Sequence, residues 1–369
     1  MPRHHYIGIM SGTSVDAVDT VLVAIDGKRL ELVATNTHPI PKALKVRILD
    51  MASHYDTSLL TLGALDRELG VLFAEAVNQL IEKHHIDRST VRAIGSHGQT
   101  VCHRPDDEQP FTMQIGDANQ IAALTGIDTV ADFRRKDMAL GGQGAPLVPA
   151  FHHTLFGNDH SATVVLNIGG IANITVLRPG EPVLGYDTGP GNMLMDNFHQ
   201  QQTGEHYDRD AQVAKSGEVD DALLTRLMAE PYLARPYPKS TGRELFSPAW
   251  LADKLQGVTI PAANIQRTLL EYTARTIAEQ IDAFRFGDAP QVFVCGGGAR
   301  NPLLMQRLAE LLPGWQVDST DSQGVSGEYM EAMAFAWLAH RFMERESGNV
   351  PEVTGASRYA VLGALYPAG

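Results

Sequence analysis

Apolar and polar positions follow two rhythms along this chain. Residues 6–26 read YIGIMSGTSVDAVDTVLVAID: an apolar β-branched run, a turn of glycine and small hydroxyl residues, then a second apolar run. That pattern predicts a β-hairpin whose turn has too little side-chain bulk to fill space. Residues 161–177, SATVVLNIGGIANITVL, repeat the design. A third strand over 30–36 extends the first hairpin to a meander, and 162–186 reads as a second meander. Between them, Leu62, Leu65, Leu69, Leu72, Phe73, Ala76, Val77 and Leu80 recur at helical spacing within 59–81. A short strand at 91–95 runs into SHGQT. Residues 265–284, 302–312 and 328–342 read as helices, and 291–295 and 316–318 as strands.

Strands and helices thus alternate, with a β-meander opening each half: an α/β protein with mixed rather than purely parallel sheets, flanked by helices. A length of 369 residues accommodates two domains. The repeat suggests related lobes over 1–133 and 134–369, each offering a phosphate-gripping loop. The densest Gly/Pro stretch, ALGGQGAPLVP at 139–149, is the candidate interlobe passage, and the C-terminal tail is free to return to the first lobe.

A net charge of -13 argues against non-specific binding to nucleic acid or an anionic membrane. It leaves room for a nucleotide, whose phosphates backbone donors and a divalent cation can hold. Two cysteines are too few for a disulfide framework or a cysteine-rich zinc site. With no secretory leader and no apolar run of membrane-spanning length, the expectation is a soluble cytoplasmic protein.

In the first turn, Gly12, Thr13 and Ser14 would offer donors to phosphate oxygens, with Asp16 or Asp19 facing magnesium through water. Val15, Ala17 and Val18 complete that loop. The second turn supplies Asn167, Gly169 and Gly170. A third cluster, Gly296, Gly297 and Gly298 before Asn301, follows a buried strand and opens a helix, where a nucleoside could lie against the backbone. Each alone could be an ordinary turn; the recurrence argues for a ligand. Asp187 ends a strand before the Gly-Pro turn of GYDTGPGN and is either a general base or the cap of the helix near Met193. Ser96 and His97 are candidate substrate contacts, with a backbone-satisfied turn histidine as the alternative. The clustered cations of DFRRKD and KSTGRE would neutralise phosphates or a carboxylate, or are solvated surface charge.

These motifs, with IGIMSGTSVDAVD, LNIGGIANI, VCGGGARNPLLM and TGASRYAVLGALYP, closely resemble the anhydro-N-acetylmuramic acid kinase family almost end to end. The resemblance implies the two-lobed fold shared by sugar kinases, heat-shock chaperones and actin, with ATP in an interlobe cleft, Mg2+, and a homodimer. It implies as substrate 1,6-anhydro-N-acetylmuramic acid, whose bridge is hydrolysed and whose O6 is phosphorylated, and Asp187 as the base. The implied substrate residues are Ser96, His97, Arg134, Arg135, Asp137, Thr188, Asn192, Lys239 and Glu331. One position departs: the family reads SGTSxDG where this chain has Ala17, which would be costly only at positive φ. The competing expectations are another small-molecule kinase or ATPase of this fold, or a non-catalytic nucleotide-binding regulator with a spoiled first loop.

Overall fold

A computed structural model of the chain describes residues 4–12, 15–27, 29–237, 239–242 and 245–369. It divides into two compact units, Met1–Leu155 with Gly324–Gly369, and Phe156–Gln323.

In the first unit, β1 (His4–Ser11), β2 (Ala17–Asp26) and β3 (Arg29–Pro39) form an antiparallel meander. On the other side of β1, β4 (Val91–Ser96) pairs in parallel; β5 (Gln99–Arg104) and β6 (Phe111–Ile115) form a separate hairpin. Then β7 (Thr129–Ala131) joins β4 in parallel, and the C-terminal strand Ala364–Tyr366 closes the sheet antiparallel to β7. Alternation sends Ile7 and Ile9 to one face, where they cluster with Leu65, Leu69, Phe73 and Val77 of the helix Leu59–Lys83.

Gly8 points to the other face, where it is the register partner of Gly95 on β4. A Cβ on Gly8 would lie 1.9 Å from the Ala332 carbonyl oxygen, and one on Gly95 2.0 Å from that of Phe335. The backbone of helix Met330–Met343 therefore rests directly on the sheet.

The second unit contains β8 (Thr163–Ile168), β9 (Ile171–Leu177), β10 (Leu184–Pro190), β11 (Gln291–Cys295) and β12 (Gln316–Ser319). Its order, β10-β9-β8-β11-β12, reproduces β3-β2-β1-β4-β7. The directions also agree: an antiparallel meander, then two parallel additions. The repeated motif thus belongs to a repeated topology. The helix Ala262–Asp282 buries Leu269, Tyr272, Ile277 and Ile281 in the core with Val164, Leu166 and Val292.

The passage between units lies later than the sequence reading placed it, at Leu155/Phe156 rather than 133/134. The Gly/Pro stretch is stitched into the first unit. Asp137, fully buried, accepts from Gly144 N (2.9 Å), Asn349 Nδ2 (2.8 Å) and Thr354 Oγ1 (2.8 Å). Gln143 N donates to Thr354 O and Ser357 N to Leu140 O, each at 2.8 Å.

Candidate active site

Asp187 lies in β10 where the register with β9 shifts, between Asp187 and Gly189. The bulge breaks strict alternation and re-aims side chains at the strand end. Gly189 follows at φ +150, a conformation reserved for glycine. One returning segment holds Asp187: its N–H donates to Lys239 O (3.2 Å), and Thr241 N donates to its Oδ2 (3.0 Å). The Tyr232 hydroxyl donates to its carbonyl oxygen (2.7 Å). The cap of helix Met193–Thr203 is Asn192, so Asp187 does not serve as one. Thr188 is fully buried with its hydroxyl donating to Ala172 O (3.1 Å), which turns it from a substrate into the sheet.

The glycine-rich segments of this unit converge. Asn192 N donates to Gly169 O (2.8 Å), Gly191 N to Gly170 O (2.9 Å), and Asn192 Nδ2 to Ile168 O (3.1 Å). Gly296, at φ +79, packs against Asn167, where a Cβ would meet Asn167 Oδ1 at 2.5 Å. A Cβ on Gly298 would meet Ile168 Cγ2 at 2.3 Å, so Gly296 and Gly298 are required by packing.

Gly169 and Gly170 are different. Neither has positive φ, and the nearest atom to an added Cβ is 3.5 Å away for Gly169 and 3.7 Å for Gly170. Nothing among the described residues demands glycine there, which fits a turn kept bare for a ligand. Among the described residues, nothing lies within 4 Å of a Cβ added at Gly12 in the first unit. Asn301 caps the helix Pro302–Leu311, its side-chain oxygen accepting from Leu304 N (3.0 Å), so that oxygen is engaged within the fold.

Thr13 and Ser14 of the first loop lie outside the described residues, as do Arg243 and Glu244 of KSTGRE. Val15 is buried at φ +54, an uncommon conformation for a β-branched residue and a local strain. Ala17 opens β2 opposite Pro39 and is not among the positive-φ residues, so alanine costs nothing there. Val18 is buried in the core of the unit. Asp16 is mostly exposed and engages Lys45. Asp19 is half-buried; burial pushes its carboxyl up, against a hydrogen bond from Thr37 (2.7 Å) and with the Glu328 charge adding to the rise.

Beside the first loop, His97 Nε2 accepts from Arg134 Nη2 (2.9 Å). Burial, then the Arg134 charge, pushes the imidazole down to about 3. It is therefore neutral, with its proton on Nδ1. Arg134 also donates to Gly144 O (2.9 Å). Glu331 opens to solvent on one side, yet desolvation raises its carboxyl, opposed by Arg134 and assisted by Asp19. Arg134, Asp19 and Glu331 thus form one electrostatic group. Ser96 is fully buried, Asp137 is saturated, and Arg135 is exposed and paired with Asp132 (2.7 Å). Asp137 is held by the protein and Arg135 is paired at the surface, whereas the buried Ser96 hydroxyl has no hydrogen-bond partner among the described residues.

Two contributors show their part only in the folded chain, Gln99 of the SHGQT stretch and Tyr232. Gln99, buried, accepts from Ser11 Oγ (2.6 Å) and donates to Gly12 O (3.4 Å), fastening the first turn to the SHGQT strand. Tyr232 has no motif around it, and only the fold brings it to Asp187. Among the described residues, no group of three or more His, Cys, Asp or Glu forms a ready metal cage. No helix among them is long and apolar enough to cross a membrane.

Residues 4–368 match the model of a family described as anhydro-N-acetylmuramic acid kinase. A protein of that name from Vibrio vulnificus is 60% identical over 362 residues, covering 98% of each chain. Another from Vibrio cholerae is 57% identical over 364 residues, covering 99% of this chain and 98% of its own. Among solved structures, component A of (R)-2-hydroxyglutaryl-CoA dehydratase from Acidaminococcus fermentans aligns over 89% of this chain and 96% of its own. It shares 11% identity, with a TM-score of 0.45.

Proposed function

The chain belongs to the anhydro-N-acetylmuramic acid kinase family, and from that premise we propose that it opens 1,6-anhydro-N-acetylmuramic acid with water and phosphorylates it at O6 with ATP, in cell-wall recycling. The observation that carries the chemistry is Asp187, a carboxylate at a bulged strand end in the unit whose Gly169-Gly170 turn is left bare. The bridging oxygen of an anhydro sugar has no proton to remove, so a base must act on water. Asp187 takes a proton from water as the water oxygen bonds to C1 and the C1–O6 bond breaks. O6 then bonds to the γ-phosphorus, the bond to the β-phosphate oxygen breaks, and ADP leaves. The bare turns suit approach of backbone N–H groups to phosphate oxygens. Arg134, beside a neutral His97, suits an anionic group of the sugar.

Magnesium fits Asp19 better than Asp16, because Lys45 already engages Asp16, whereas Asp19 sits among acidic groups that a cation would relieve. Held there through water, the ion would supply charge neutralisation to the transferring phosphoryl group. We also place the protein in the cytoplasm as a homodimer, with no nucleic-acid partner. The alternative of a non-catalytic regulator loses its motive, since Ala17 pairs with Pro39 in β2 and is not at positive φ.

The test is ADP release with the anhydro sugar beside ordinary N-acetylmuramic acid, with a parallel run in oxygen-18 water. The anhydro sugar should turn over far faster, with label at the anomeric carbon and none in the transferred phosphate. Equal rates for the two sugars would make the chain a conventional sugar kinase.

A further inference from the structure

Asp187 is gripped at its N–H, its carbonyl and its carboxylate by Lys239, Tyr232 and Thr241. The grip is itself fastened by a buried ammonium. Lys239 Nζ donates to Leu233 O (2.9 Å) and lies 5.0 Å from the centroid of the Tyr232 ring. We propose that Tyr232 and Lys239 are positioning residues for the reaction. They form a strap that fixes the backbone of Asp187, and hence the direction of its carboxylate, and Lys239 does not act as a substrate ligand.

The proposal rests on reading Asp187 as the base. Tyr232 is buried, and its hydroxyl points to the Asp187 carbonyl rather than to the carboxylate. It can therefore steer Asp187 without exchanging a proton with it. Burial, and after it the Asp187 charge, push the Tyr232 hydroxyl well above the ordinary phenol, so it remains a donor throughout the working pH range. The Lys239 ammonium is occupied by the carbonyl oxygens of Leu233 and Tyr232 and by an aromatic face, all within the strap. A charge so placed rigidifies the chain beside the bulge, where the pairing of β9 and β10 skips Thr188. A base must be held closely to its reaction geometry, since a displacement of about 1 Å can cost roughly a hundredfold.

The experiment measures kcat and KM for both substrates in Tyr232→Phe and Lys239→Met, each alone and combined with Asp187→Asn. Tyr232→Phe keeps the ring beneath Lys239 and removes only the hydroxyl. Both single variants should lower kcat by roughly ten- to hundredfold with KM nearly unchanged. In the Asp187→Asn background neither should lower the residual rate further, because they act through Asp187. Unchanged kcat in both variants overturns the strap. A rise in KM for the sugar at constant kcat in Lys239→Met overturns it too and makes Lys239 a ligand. Undiminished turnover in Asp187→Asn alone instead removes the base reading. Should Tyr232→Phe not fold, judged by circular dichroism, Lys239→Met carries the test by the same split.

Discussion

Among single residues, the informative contrast lies between glycines that the protein needs and glycines that it does not. Gly296 and Gly298 are pressed against Asn167 and Ile168, so any side chain there displaces its neighbours. Among the described residues, Gly170 has only the Met193 Cβ within ordinary contact of an added methyl. Gly170→Ala is therefore expected to melt like the parent protein while its KM for ATP rises about tenfold, as for one displaced charge-assisted hydrogen bond. Nucleotide titration beside a thermal melt checks this; unchanged affinity would make the second turn structural. The acidic residues separate in the same way. Asp137 looked like a substrate contact beside the cations of DFRRKD, but its oxygens are filled by Gly144, Asn349 and Thr354. Two of those partners are more than two hundred residues away in sequence, so no local pattern announces them.

Between strand and helix, the closest fit is that of β1 and β4 beneath helix Met330–Met343. Gly95→Ala would place a methyl inside the carbonyl of Phe335, forcing the helix off the sheet at a cost on the order of 3 kcal/mol. Chemical denaturation should show the loss, whereas Gly63→Ala, in a helix with open space around it, should show none of comparable size. The elements with strong periodicity were legible in the sequence: the helix expected over 59–81 spans Leu59–Lys83, and the strand at 291–295 is Gln291–Cys295. Both meanders were legible too, because β-branched runs around bare turns have one economical pairing. The β5–β6 hairpin was missed because QTVCHR does not alternate, and FTMQI alternates in the wrong sense, with Phe111 and Met113 exposed and Thr112 buried. The short helices over 212–254 were missed as well; they are four to eight residues long, too short for a period to register. The candidate site was legible where motifs carry it, as at Asp187 and the glycine turns. Tyr232 and Gln99 act through hydrogen bonds that only the folded chain brings together.

Taken whole, the molecule answers to pH through groups that its cores hold away from water. His97 and His152 are both pushed down to about 3, His97 by burial and then Arg134, His152 by burial. Each is neutral when folded, whereas the unfolded chain takes a proton near 6.5. Their contribution to stability is complete above about 6.5 and is lost progressively as pH falls toward 3. Asp196 works in the opposite sense: burial raises it to about 6 from 3.8, so its ionisation costs stability as pH rises through that interval. Melting temperatures from pH 8 down to 4.5 should therefore fall below about 6.5. The fall should be shallower in His152→Gln and steeper in Asp196→Asn, where the opposing contribution is gone. Identical slopes in all three proteins would mean that other groups govern the acid response.

The first unit is also built from two separated stretches, with the second unit inserted whole between them. During translation, β1 and β4 leave the ribosome long before the helix that covers their glycine-lined face has been made. At ordinary elongation rates the interval is on the order of ten seconds or more. The second unit, continuous in sequence, can complete its own core in that time. A half-made sheet with one bare apolar face is then the species most exposed to aggregation and to chaperones. Ribosomes stalled just before Met330 should accumulate it, with protease resistance confined to the inserted unit.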